Sequence, residues 1–146
     1  NYQPLIDQLV PLADTTLTSN TSTAALTLGT ASKPRITLID AGITLHGPTT
    51  GVGILIVRPG NGTFQTSTTF SFTGLILVVG TGTKAQIKFG STATIIAGMV
   101  MSGTEVKVDF NAGSSSQVIK YSCQALALAF SEPKLLGNYI IASWWE

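Results

Sequence analysis

Reactive side chains are scarce in this sequence. One cysteine, Cys123, excludes an intrachain disulfide, and the usual place of a lone thiol is inside the protein as a small apolar side chain. One histidine, His46, leaves no second imidazole or thiol at metal-ligand spacing. Lysine and arginine number 8 and aspartate and glutamate 7, for a net charge of +1. That balance gives no basic face of the kind nucleic-acid binders present. Charged residues are 10% of the chain, against about 25% in ordinary globular domains. Threonine, serine and glycine take their place, a polarity that suits extracellular β-rich proteins and filament subunits better than cytosolic enzymes. Long apolar runs are lacking too, and none approaches the ~18 residues of a membrane span. Residues 1–20 lack the basic start and continuous apolar stretch of a signal peptide. If the protein is exported, the expectation is that its targeting segment has been removed or lies outside this sequence.

What the chain has instead is repetition. Gly53-Ile54-Leu55-Ile56-Val57 is followed by Gly74-Leu75-Ile76-Leu77-Val78 and then by Gly98-Met99-Val100-Met101. The glycines stand 21 and then 24 residues apart. A short apolar phrase returning at such a period marks a solenoid, whose coils bury their apolar faces against one another. From Ile36 onward the chain reads as strand after strand: the first of these glycines starts a strand over Gly53–Val57, the second precedes one over Leu75–Val79, and the third falls within one over Thr94–Met101. A further strand is expected over Phe64–Phe72. Two kinds of strand alternate. The Gly-Ile-Leu-Ile-Val kind is apolar throughout and needs cover on both faces. Ile87-Lys88-Phe89 and Val106-Lys107-Val108-Asp109-Phe110 alternate, leaving one face wet.

Two segments are candidates for the cover. Residues 4–14 read as a short helix, with Pro4 in the first turn, an apolar stripe of Leu5, Ile6, Leu9, Val10 and Leu12, and Pro11 to end or kink it. Ser122–Phe130 is the strongest helix in the chain, because Ser122 suits a cap and alanine and leucine are strong helix formers. Tyr139–Glu146 reads as a final strand, with the adjacent Trp144 and Trp145 pointing to opposite faces. Together these readings predict one mainly β domain over residues 1–146. Residues 1–25 would form an N-terminal helix and linker. Residues 26–121 would form the coils of a short right-handed β-solenoid (β-helix). Residues 122–146 would form a covering helix and terminal strand. Alternation alone fits a β-sandwich equally, and that is the alternative fold.

The search for chemistry returns little. The carboxylates Asp7, Asp14, Asp40, Glu105, Asp109, Glu132 and Glu146 are scattered, whereas β-solenoid lyases and hydrolases cluster acids and bases on one coil face. Glu105 and Asp109 share a strand face, where solvated exposure explains them better than a cation site. Ser122-Cys123 has no nearby histidine to activate it. Gly80-Thr81-Gly82-Thr83 lacks the Lys-Ser/Thr ending of a phosphate loop. Asn20-Thr21-Ser22 and Asn61-Gly62-Thr63 fit a glycosylation tripeptide that threonine-rich chains produce by chance. Lys84, Lys88 and Lys107 could line up on successive exposed strands as a modest stripe for an anionic ligand, with a weak and salt-sensitive grip, although a plain solvated face explains them better. No catalytic residue, cofactor or metal ligand is expected.

Several motifs combine in a fixed order. Leu28-Gly29-Thr30-Ala31-Ser32-Lys33-Pro34-Arg35-Ile36 leads into Asp40-Ala41-Gly42-Ile43-Thr44-Leu45-His46-Gly47 and Gly51-Val52-Gly53-Ile54-Leu55-Ile56-Val57. Phe70-Ser71-Phe72-Thr73-Gly74-Leu75-Ile76-Leu77-Val78 follows. Asp109-Phe110-Asn111-Ala112-Gly113 then precedes Ile119-Lys120-Tyr121-Ser122-Cys123, and the end is Ser143-Trp144-Trp145-Glu146. Over roughly residues 26–146 this resembles the C-terminal region of PilX-like pilus assembly proteins of Gram-negative bacteria. In that family a Leu-Gly-Thr-Pro-Ser-x-Pro stretch introduces β-repeats, followed by a Tyr-x-Ser helix start and a Ser-Trp-Arg-Glu type ending. The chain departs at Ala31, where proline is usual, and at Trp145, where arginine is common.

The resemblance implies an exported, non-enzymatic component of the type IV pilus system, minor pilin-like and with a solenoid ectodomain. Its place would be the periplasm, anchored to the inner membrane, or the cell surface within the pilus. Its partners would be other pilins or pilus assembly proteins. Membrane contact would come only through an N-terminal apolar helix preceding residues 5–14, so that this chain would be a soluble fragment. Two other function classes fit the same architecture. One is a surface-exposed binding module, an adhesin for surface glycan or DNA. The other is a carbohydrate-active β-helix enzyme, which would need acids converging in a groove.

Overall fold

The computed structural model describes residues 2–80, 85–103, 105–110 and 116–136. The expected terminal strand over Tyr139–Glu146 lies outside them, as do Lys84 and residues 81–83. The strands are β1 (Thr15–Leu17), β2 (Leu26–Leu28), β3 (Arg35–Ile39), β4 (Thr44–Leu45), β5 (Thr49–Val57), β6 (Thr63–Thr66), β7 (Phe70–Val79), β8 (Ala85–Phe89), β9 (Ala93–Ser102), β10 (Val106–Phe110) and β11 (Gln117–Lys120). The helices are α1 (Gln3–Leu9), α2 (Cys123–Phe130) and α3 (Pro133–Leu136). Every pairing between these strands is parallel. A sandwich of hairpins and Greek keys is antiparallel, so that alternative is overturned. The chain is a β-solenoid of about 4 turns.

Two sheets run along the stack. The larger orders its strands β1-β3-β5-β7-β9-β11, and the smaller orders them β10-β8-β6-β4. The strands β5, β7 and β9 are long enough to serve two stretches of the larger sheet. Their first halves stack with β2 and β11, and their second halves with β3. Inside the coils, Phe70, Phe72, Leu55, Val57, Ile76, Val78 and Ile95 of the larger sheet meet Leu45, Phe64, Ile87 and Phe89 of the smaller one. Alternation along β7 then turns Leu75, Leu77 and Val79 outward, and these are buried as well. They lie, with Ile36, Leu38, Ile54 and Ile56, under Leu5, Ile6 and Leu9 of α1, Ala129 of α2 and Leu135 of α3. The doubly apolar phrase therefore has the cover it needs on each face. Ser122 caps α2 by accepting the Ala125 backbone N–H at 3.2 Å.

Three boundaries differ from expectation. The stack begins at Thr15, since β1 pairs with β3, so residues 15–17 belong to the coils and not to a linker. Gly53 and Gly74 both lie within strands, where the expected strands began at Gly53 and at Leu75. They stack on each other in register with φ of +131° and +139°, so the ladder passes through them. The real break comes between β6 and β7, where Ser67 donates its N–H to the Leu45 carbonyl at 3.0 Å; Phe64–Phe72 is therefore two strands. The third copy of the phrase is also displaced by one residue. Ala97, not Gly98, stacks on Gly74, and Gly98 stacks on Leu75. A one-residue slip moves side chains to the opposite face. Gly98 thus faces the cover, where a Cβ would stand 2.7 Å from Leu126 of α2.

Candidate functional surface

The smaller sheet presents the wet face expected from its alternation. Phe64, Ile87 and Phe89 point inward and are buried. Outward, one row runs Thr63, Gln86, Lys107 and the next runs Gln65, Lys88, Asp109. Lys88 is thus beside Asp109, not beside Lys107. The Lys107 ammonium lies 3.6 Å from the Asp109 carboxylate. The two described lysines share a face but straddle an acid, so these two give mixed charge of the kind a plain solvated face carries. A depression of about 390 Å³ opens at the edge of this face, lined by Ala85, Gln86, Glu105, Val106 and Lys107.

The other chemistry-bearing groups are spread around the stack. His46 is exposed, and its backbone N–H donates to Thr21 Oγ1 at 3.1 Å. Asp40 and Arg58 sit at adjacent strand ends in a two-pronged pair, with Nε–Oδ1 at 2.9 Å and Nη2–Oδ2 at 2.8 Å. Cys123 is exposed, contrary to the expectation of a buried thiol. It occupies the first residue of α2, whose buried positions are Ala125 and Ala129. Its Sγ lies 3.7 Å from the Tyr121 hydroxyl, and a hydrogen bond from that hydroxyl to the sulfur, with the negative charge of the ionised sulfur, pushes the phenol up. Among the described residues no group of three His, Cys, Asp or Glu side chains could hold a metal ion, and no helix is long and apolar enough to cross a membrane.

Asp14 fastens the cover to the first coil. Its Oδ2 accepts the Ile36 N–H at 2.9 Å, and its Oδ1 accepts from Lys134 Nζ of α3 at 2.6 Å. Partial burial pushes the carboxyl up. The Lys134 and Ile36 hydrogen bonds and the charges of Lys134 and Arg35 outweigh it, holding the group below its ordinary 3.8. The depressed folded-state value makes the contribution complete above the unfolded pKa and lost as pH falls below about 3.8. Asp14→Asn should therefore cost about 1 kcal/mol at neutral pH, in keeping with a half-exposed pair. The deficit against wild type should vanish at the acid end of a pH series of urea midpoints.

The two ends of the stack differ. At the N-terminal end, Asn20 Oδ1 accepts the Thr44 N–H at 2.8 Å and the Thr21 N–H donates to the Thr44 carbonyl at 3.1 Å. Polar side chains and backbone of the preceding coil thus close the edge of β4, a role that residues 18–23, with no apolar side chain, gave no sign of in sequence. At the other end, β9 and β11 carry Met101 at 50% exposure, Ile119 at 50% and Val118 at 36%, with Tyr121 at 70% beside them. Among the described residues no strand follows β11. Unpaired strand edges with apolar side chains are templates for a further chain. No family model, curated protein or solved structure matches the chain.

Proposed function

We propose that the chain is a non-enzymatic structural subunit of a type IV pilus-like assembly in a Gram-negative bacterium, exported and working through the surfaces of a stiff β-solenoid. The observation that carries this reading is the asymmetry of the stack. One end is closed by its own polar side chains, while the last coil leaves Met101 and Ile119 half exposed. Such an end suits a neighbouring pilus assembly subunit, added strand to strand with its apolar side chains on these two. The order of motifs resembling PilX-like proteins supports the same system. The self-covered larger sheet supports a building block whose shape, not a pocket, is the working part.

The test uses a strain of the source bacterium deleted for this gene. The wild-type gene should restore surface pili. Met101→Lys with Ile119→Lys should reduce pilus number at least about tenfold, since a buried unpaired charge costs an interface several kcal/mol. Both positions are half exposed, so the melting temperature should stay near that of wild type. A deletion strain with undiminished pili would overturn the reading. A second reading, a surface module for glycan or DNA, is favoured by the outward row of hydroxyls described next.

A further inference from the structure

We propose that the turn between β2 and β3 is a binding site for one oxyanion group, a sulfate, phosphate or carboxylate. A depression of about 160 Å³ is lined there by Thr27, Gly29, Thr30, Lys33 and Arg35. That is below the ~300 Å³ where pockets for drug-sized ligands begin, so it fits one small group. Two of the five lining residues are cations. Among the described residues neither Lys33 nor Arg35 forms an ion pair. The nearby acid, Asp14, has both oxygens engaged by Lys134 and Ile36. Arginine matches the fork of a planar or tetrahedral oxyanion, and lysine adds a point charge.

The turn is built rather than loose. Thr30 and Lys33 exchange backbone hydrogen bonds at 3.0 and 3.1 Å, and Gly29 holds φ +96°. A Cβ at Gly29 would stand 2.4 Å from the Val52 carbonyl, so the turn is pressed against the next coil. Thr30 Oγ1 lies 3.2 Å from Ser32 Oγ, and one hydroxyl of that pair keeps a hydrogen to donate to an anion. Thr27 begins an outward hydroxyl row that continues through Thr50, Ser71 and Thr94 in register, one per coil at ~4.8 Å spacing. An anionic group carried on a sugar polymer could be gripped at Lys33 and Arg35 and laid along this row, while a free anion would fill the turn alone. The site stands whether or not the chain assembles into pili.

The experiment is an amide-resolved NMR titration of the chain with sodium sulfate and, separately, with a sulfated hexasaccharide. Sulfate should shift amides from Thr27 to Arg35, and Lys33→Gln and Arg35→Gln should each weaken binding about tenfold, as for a lost charge-assisted hydrogen bond. Lys33 is exposed in the turn, so its variant tests the site without disturbing β3. Shifts from the hexasaccharide that extend to Thr50, Ser71 and Thr94 identify a polymer-borne group; shifts confined to the turn identify a free anion, and both support the site. Shifts spread evenly over Lys88, Lys107 and Lys120, or binding unchanged by both variants, would overturn it.

Discussion

Gly74→Ala should remove a large share of the chain's stability. Gly74 has φ +139°, and a Cβ there would lie 1.9 Å from the Gly53 carbonyl oxygen of the preceding coil. The obstacle is backbone, so no rotamer change relieves it. Both strands are central, with neighbours on each side, so moving β5 from β7 breaks the ladder at its middle. The cost should exceed about 4 kcal/mol, the range of severe single substitutions, against a total stability of roughly 5–15 kcal/mol. Gly53→Ala should behave alike, since its Cβ would meet the Arg35 carbonyl oxygen at 2.1 Å. Gly60 is the control. Its φ is +61°, but nothing lies within 4 Å of its Cβ position. Gly60→Ala should cost only the backbone penalty of about 1–2 kcal/mol. Urea denaturation followed by far-UV circular dichroism separates the two classes. A Gly74→Ala midpoint near that of Gly60→Ala would mean that neighbouring coils can part locally at no great cost.

That glycine pair also marks how far the sequence could be read. The recurring Gly-apolar phrase identified stacked coils, and its unbroken apolar runs required the cover that α1, α2 and α3 provide. The register of the third copy was not legible. Ala97 and Gly98 are adjacent and small, and either satisfies the pattern; the choice is made by Leu126 of α2, which needs the space above Gly98. The first coil was hidden because the stretch after Asp14 is mostly Thr and Ser, with Leu17 the only inward apolar residue of β1. Alternation correctly placed Lys88 and Lys107 on an outer face. Their offset depends on the length of the path from β8 through β9 to β10, and a strand read alone carries no register. For the same reason the hydroxyl row from Thr27 to Thr94 was invisible, since its members are more than twenty residues apart in sequence.

The second large effect should come from Phe70→Ala. Phe70 is fully buried and touches three other rings. Phe72 is stacked at 6.3 Å, Phe89 tilted at 5.5 Å and Phe64 edge-on at 6.5 Å. Phe70 and Phe72 belong to the larger sheet and Phe64 and Phe89 to the smaller, so this ring joins the two sheets across the interior. Truncating a buried phenylalanine costs about 3–5 kcal/mol, and each aromatic pair lost adds ~0.5–1.5 kcal/mol. A loss near 5 kcal/mol is expected, read as a fall in urea midpoint with little change in slope. Phe110→Ala gives the contrast. Phe110 is half-buried on the last described strand of the smaller sheet, and among the described residues its one stacked partner is Phe89 at 5.3 Å, so about 2 kcal/mol is expected. Solenoid stability is close to a sum of coils and their nearest-neighbour interfaces. Hydrogen exchange should therefore show Phe110→Ala freeing amides of β10 and β11 alone, while Phe70→Ala lowers protection in β5, β7 and β8 together. If Phe110→Ala lowered protection throughout, the coils would be melting as one body. Under the proposed assembly role, the half-exposed last coil could not then be remodelled by a neighbouring subunit without unfolding the rest, and docking at that end would have to be rigid.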